Sequence, residues 1–180
     1  MKLLLIEIYR RYYIIIFSSF LLFMASSIIG FIFSLDREIL LYNVKLTLLD
    51  ILINNLGVGL LIILLGIFTF GIGGILVVIV NGFFLGLTIS SSFKIYGIEL
   101  TFLGILPHFV PEILATLLCC SVGFEGRKLL EENFFKNNNN LTLSKNKIIT
   151  TTLLIILILY ILAALIEINI SYRLLRWFYE

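Results

Sequence analysis

Charge is what this sequence has least of. Asp, Glu, Lys and Arg make up 13% of its 180 residues, against about 25% in a typical soluble domain. Hydrophobic residues make up 61%, and the mean hydropathy is +1.14. Such a chain cannot cover its surface with polar groups, which excludes a water-soluble globule and leaves an integral protein of the lipid bilayer. A formal charge of +2 with no basic stripe excludes nucleic acid as a partner. Cysteine is scarce too. Cys119 and Cys120 are the only two, and sequence neighbours on a helix point apart, so a mutual disulfide is geometrically poor. They read as small apolar packing residues, with lipidation of a thiol near the membrane face as the alternative. His108 is the only histidine, which excludes a His-Glu-x-x-His metal helix. No Gly-x-x-x-x-Gly-Lys phosphate loop occurs, and no serine stands in an elbow-like context. No cofactor is implied.

What the chain does have is long apolar runs. A helix crossing about 30 Å of hydrocarbon needs roughly 20 mostly apolar residues, and five windows qualify: 12–35, 50–70, 74–93, 101–122 and 148–170. The first, preceded by Lys2, Arg10 and Arg11, is longer than the roughly 7–15 residues of a secretory leader's core and reads as a retained span. Leu56 to Ile89 is one uncharged run of 34 residues, about 51 Å as a single helix. Gly71, Gly73 and Gly74 near its middle predict a turn between two antiparallel spans. Asp36 to Asp50 reads as an interfacial amphipathic stretch, and Phe124 to Lys147, with its Asn137–Asn140 run, as a solvated loop. The expectation is a single all-α domain over residues 1–180, a polytopic membrane helix bundle of about five transmembrane helices.

Five spans with a cytoplasmic N-terminus put eight basic residues inside and five outside, the moderate bias of the positive-inside rule. Asn140-Leu141-Thr142 then falls on the cytoplasmic side, where glycosylation does not occur. Tyr172, Trp177 and Tyr179 follow the last span as an interfacial aromatic belt.

Both prolines and the single histidine fall within Leu106-Pro107-His108-Phe109-Val110-Pro111-Glu112. An ionisable pair inside an apolar segment costs free energy that something must offset or use. His108 and Glu112 are four apart and would share a face of a continuous helix. Proline, however, lacks an amide, and it biases the residue before it away from helical geometry. The expectation is therefore one Pro-broken helix, interrupted near 106–110. A half-helix would begin at Pro111, with Glu112 in its first turn at the positive end of the helix dipole. Irregular backbone at membrane depth must face protein or a wet cavity, so the segment should point inward.

Glu167, near the end of the last span, either snorkels to the interface or turns into the bundle. Turned inward, it could join His108 and Glu112 as the candidate catalytic set, in principle enough for a zinc-type triad. The spacing matches no ligand motif, and no metal is assigned. Asn54 and Asn55 open span two and Asn81 lies in span three, where amides serve as packing glue. Gly82 and Gly86 form a small-xxx-small face for a second helix, within the chain or between subunits of a homo-oligomer.

Taken together, the chain resembles the stage II sporulation protein M family of multi-pass membrane proteins. The resemblance runs over about residues 50–170: Asn54-Asn55, the glycine-rich Gly66 to Gly74, Asn81-Gly82-x-x-x-Gly86, Pro107-His108 with Glu112 and Ala115, and Ala163-Ala164-Leu165-Ile166-Glu167. Phe109-Val110-Pro111 departs from it, since relatives often have glycine after the histidine. The resemblance implies a non-enzymatic scaffold or accessory subunit in the cell membrane. Sporulation members recruit cell-wall hydrolases during engulfment. Short relatives of about this length accompany circular bacteriocin clusters, assisting maturation or secretion beside an ABC transporter, and the length fits these better. Two alternatives stay open: an intramembrane hydrolase using His108 and Glu112, and a small transporter or ion pathway.

Overall fold

The computed structural model describes residues 2–35, 47–135 and 139–171, with side chains at 8, 10–35, 47–128 and 146–170. Every regular element among them is helical: α1 (Lys2–Ser34), α2 (Leu48–Phe68), α3 (Ile72–Phe135) and α4 (Asn139–Ile166), which runs into a π-helical turn at Glu167–Ser171. Among the described residues four helices are long and apolar enough to cross a membrane. The rest of the interfacial stretch, the centre of the asparagine run and the aromatic belt at Tyr172, Trp177 and Tyr179 lie outside the described residues.

α3 is 64 residues long but is not a rod, because Gly97 has φ 77° and ψ 174°, a backbone region open essentially to glycine alone. Its two arms, 72–96 and 98–135, fold back on each other. In a continuous helix Asn81 and Glu112 would stand about 47 Å apart, yet both line one small cavity. The rings of Phe93 and Phe102 likewise meet across the fold at 5.6 Å.

The break expected at 106–110 is therefore not where the structure breaks: the second arm stays helical through Pro107 and Pro111. A proline deletes one amide and leaves one carbonyl without its partner, a defect that a helix packed among neighbours absorbs. Gly97 leaves the helical region altogether. It lies in the gap between the third and fourth apolar windows, so hydropathy located the break that the prolines did not.

The turn predicted from Gly71, Gly73 and Gly74 forms at 69–71, with φ 58° at Phe70 and φ 90° at Gly71. Its closing bond runs from the Gly71 amide to the Gly66 carbonyl at 2.7 Å. α2 opens with a reciprocal cap. The Thr47 amide donates to Asp50 Oδ2 at 2.9 Å and the Asp50 amide to Thr47 Oγ1 at 3.3 Å, satisfying two donors the helix start would otherwise orphan.

The solvated loop expected from Phe124 is also corrected. α3 continues to Phe135 and α4 begins at Asn139, and Glu125 is 4% exposed. Its partner is Arg11 of α1, which donates to Glu125 Oε1. A charge so placed is tolerated when paired, and the apolar residues around it continue the helical surface. Arg127 stacks over the Phe70 ring at 4.0 Å, closing the same end of the bundle.

Packing follows the rule of lipid rather than of water. Where helices cross, small residues face inward, because backbones must approach closely to gain contact, and many large apolar ones face outward. On α1, Ser19, Ser26, Ser27 and Gly30 are buried while Phe17, Ile28 and Ile32 are exposed. A Cβ on Gly82 or Gly86 would strike the backbone of α1 at Phe23 and Ser27, and one on Gly30 would strike the Phe83 carbonyl. The small-xxx-small face is thus used inside the chain. Gly66 of α2 crosses Gly123, where an added Cβ would come within 3.0 Å of the Gly123 Cα. Lys94 donates to the Ser34 carbonyl at 2.7 Å, capping the end of α1. The second arm of α3 is buried on almost every side from Ala115 to Gly123 and forms the bundle's axis. Cys119 and Cys120 belong to this core, free and buried, so the packing reading holds and neither thiol is placed for lipidation.

Candidate functional site

Continuity through the prolines assembles the site. Because the second arm stays helical, His108, Glu112 and Thr116 recur every four residues along one face. That face turns toward α2 and α4. On α2 the buried series Ile51, Asn55, Gly59, Ile62 and Gly66 points back at it. On α4 the corresponding series is Thr152, Ile156, Tyr160 and Ala163. Gly59 keeps this junction close, since a Cβ there would lie 2.9 Å from the Tyr160 ring and 3.1 Å from Cys119 Sγ.

Between these faces lies a cavity of about 490 Å³ lined by Asp50, Ile51, Asn54, Asn55, His108, Glu112 and Glu167. It sits at the end of the bundle where α2 begins and α4 ends, opposite the Arg11–Glu125 pair. Beneath it a recess of about 20 Å³ reaches Asn81, Thr116 and Tyr160 and shares Asn54, Asn55 and Glu112 with the larger space. A third cavity of about 190 Å³ opens between the two arms of α3, where His108, Glu112 and Asn81 meet Phe23, Phe84 and Leu85. The three together form a polar tract running from one end of the bundle to its middle.

The floor is fixed by hydroxyls. Thr116 Oγ1 donates to the Glu112 carbonyl at 3.0 Å and lies 3.3 Å from the Tyr160 hydroxyl, which in turn is 3.8 Å from Cys119 Sγ. His108 donates from its ring to the Gly104 carbonyl one turn back, so its helix orients it. Glu167 turns inward rather than snorkelling and faces the same cavity as Glu112. The π-helical turn that starts at Glu167 rotates the end of α4 relative to a regular helix, and such turns gather at functional sites.

Asn55 is 6% exposed, and its Nδ2 has no hydrogen-bond partner among the described residues. An orphaned buried donor costs about 1–3 kcal/mol, so the cavity wall holds an unsatisfied amide. Among the described residues the main cavity's lining carries three carboxylates and neither lysine nor arginine. No three His, Cys, Asp or Glu side chains among the described residues converge closely enough to hold a metal ion. His108, Glu112 and Glu167 share a cavity without forming the zinc-type triad that their composition allowed.

Of the residues singled out from sequence, Asn54, Asn55, Asn81, His108, Glu112 and Glu167 all reach the tract, while Pro107 and Pro111 lie in its helix and Gly82 and Gly86 hold α1. Sequence reasoning missed Asp50, Thr116 and Tyr160 as site residues. Thr116 was recoverable as the next residue after His108 and Glu112 at a spacing of four. Tyr160 stands seven before Glu167, two turns down the same face.

Fold and site together define a polytopic membrane helix bundle enclosing a carboxylate-lined cavity. The family model described as Stage II sporulation protein M matches residues 19–172. The chain belongs to the stage II sporulation protein M family, and the match takes in every residue of the cavity. Comparison with curated proteins gives no match, and neither does comparison with solved structures.

Proposed function

We propose that this chain is a non-enzymatic accessory subunit of an export or envelope-remodelling complex in the cell membrane. In this reading it crosses the membrane five times, the arms of α3 crossing separately, with a cytoplasmic N-terminus and the large cavity open toward the outside. The observation that carries the proposal is the cavity itself. It is lined by six polar side chains beside Ile51, continues into the recess that reaches Tyr160, and has two acids, Glu112 and Glu167, with no ion-pair partner among the described residues. Its histidine is held by its own helix rather than aimed at Glu112. Such a space suits the reception of a group from a partner better than the activation of water. Membership of a family of membrane proteins supports the setting. Export with an ABC transporter, as in circular bacteriocin maturation, and recruitment of a cell-wall hydrolase are the two forms this role takes.

Cross-linking in native membranes followed by purification of the full chain tests the role. A transporter or hydrolase recovered in stoichiometric amount is the expected result, and recovery of the chain alone overturns it. Topology is tested by single cysteines at Phe70 and Ile98. An impermeant maleimide added outside should label Ile98→Cys and spare Phe70→Cys, with the buried Cys119 and Cys120 silent in both.

A further inference from the structure

At the closed end of the bundle the buried carboxylate Glu125 is matched by Arg11. The large cavity differs. Asp50, which also caps α2 through Thr47, faces it with Glu112 and Glu167, and no lysine or arginine among the described residues lines it. Carboxylates half-buried at the mouth of an apolar bundle, as Glu112 and Glu167 are, favour a cationic partner. The described residues do not favour a single metal ion, because no three ligating groups among them converge. The space, about 490 Å³, instead falls in the range of sites for organic groups, roughly 300–1,000 Å³.

Asn55 adds a second and independent requirement. Its buried amide nitrogen is a donor without an acceptor, and neither an ammonium nor a guanidinium can supply one. A peptide segment supplies both, with a basic side chain for the carboxylates and a backbone carbonyl for the amide. We infer that the cavity receives a lysine or arginine side chain presented on an extended peptide segment of the partner, whose backbone carbonyl accepts from Asn55. This rests on the reading of the chain as an accessory subunit and names what that subunit holds. The apolar wall between the arms of α3, with Phe23, Phe84 and Leu85 beside Glu112, gives an aliphatic neighbour of the basic residue somewhere to lie.

The test uses the full chain in nanodiscs of phosphatidylcholine, whose headgroups carry no net charge to attract a cationic probe. The probe is a fluorescent leucine-rich hexapeptide with one central arginine. Its comparators are the same peptide with citrulline, which keeps the shape and loses the charge, and agmatine, which keeps the guanidinium and loses the peptide. The arginine peptide should bind at least tenfold tighter than either. Glu112→Gln with Glu167→Gln should reduce it to the citrulline level, Asn55→Leu should weaken it about tenfold, and Glu99→Gln on the exposed surface should change nothing. Asn54→Lys provides a cation from within, at an exposed position that threatens no packing, and should abolish binding while leaving the carboxylates intact. Equal binding of the arginine and citrulline peptides overturns the inference. So does equal binding of agmatine, which makes the occupant a bare cation. Indifference to Asn55→Leu has the same force, since the recess of about 20 Å³ beside it then holds only the single water for which it has room. A stoichiometric partner alongside a failed peptide test discards this inference and keeps the accessory role. The reverse outcome separates them the other way.

Discussion

The two ends of this bundle treat a carboxylate in opposite ways. At one end Glu125 is buried, paired with Arg11 and enclosed by the Gly66–Gly123 crossing and by Arg127 stacked over Phe70. At the other, Glu112 and Glu167 face a cavity with no such partner among the described residues. The same helix, α3, carries both Glu112 and Glu125. Among the described residues, one end is closed by an ion pair of its own and the other presents its acids to a cavity.

Five single substitutions break or sharpen this contrast. The largest effect belongs to the closed end. Arg11→Ala leaves Glu125 buried without a partner, and removing one member of such a pair costs about 3–5 kcal/mol. Equilibrium unfolding in mixed micelles should show that loss, and Arg11→Leu with Glu125→Leu should recover most of it. Gly66→Val comes next. Its side chain meets the Gly123 backbone rather than a movable group, so overpacking of about 1–3 kcal/mol is expected in the same assay. Gly97→Ala probes the open end. Nothing lies within 4 Å of the added methyl, so the whole loss, again about 1–3 kcal/mol, is backbone strain at φ 77°. Pro111→Ala should be harmless beside it; the opposite ranking would return the break to the prolines. The smallest effect is the most telling. Glu112→Gln should leave the unfolding midpoint unchanged or slightly raised, because it removes a carboxyl group with no ion-pair partner among the described residues. A drop comparable to that of Arg11→Ala would show a hidden partner and erase the difference between the ends.

Much of the frame was legible because it rests on length and apolarity. The window at 50–70 falls within two residues of α2 and the window at 148–170 ends within one residue of the last helical turn, though α4 begins earlier, at Asn139; the glycines at 71–74 marked a real turn. The third and fourth windows marked the two arms of α3 and the gap that holds Gly97. The prolines misled for a physical reason. A lost amide is a local defect, and whether it becomes a break depends on what packs around it, which no local pattern records. Glu125 misled in the same way. Next to Arg127 and Lys128 it reads as solvated, and only the approach of α1 brings Arg11 to it. The site residues were legible as chemical anomalies in an apolar chain, since any amide or acid in lipid must face something. Their convergence was not, because three separate helices supply them and the angle between those helices is set by Gly59, Gly66 and Gly123.

Gly97 also constrains how this sequence can change. Asn81 and Glu112 face each other because they stand nearly equal distances, 16 and 15 residues, on either side of the fold. The two arms are in mirror register. Inserting one residue between 82 and 96 would swing Asn81 by about 100° around its helix and out of the recess. No point substitution could bring it back; only a matching change of length could restore the phase. The arms can exchange side chains freely on their lipid faces, but they can lengthen or shorten only by whole turns.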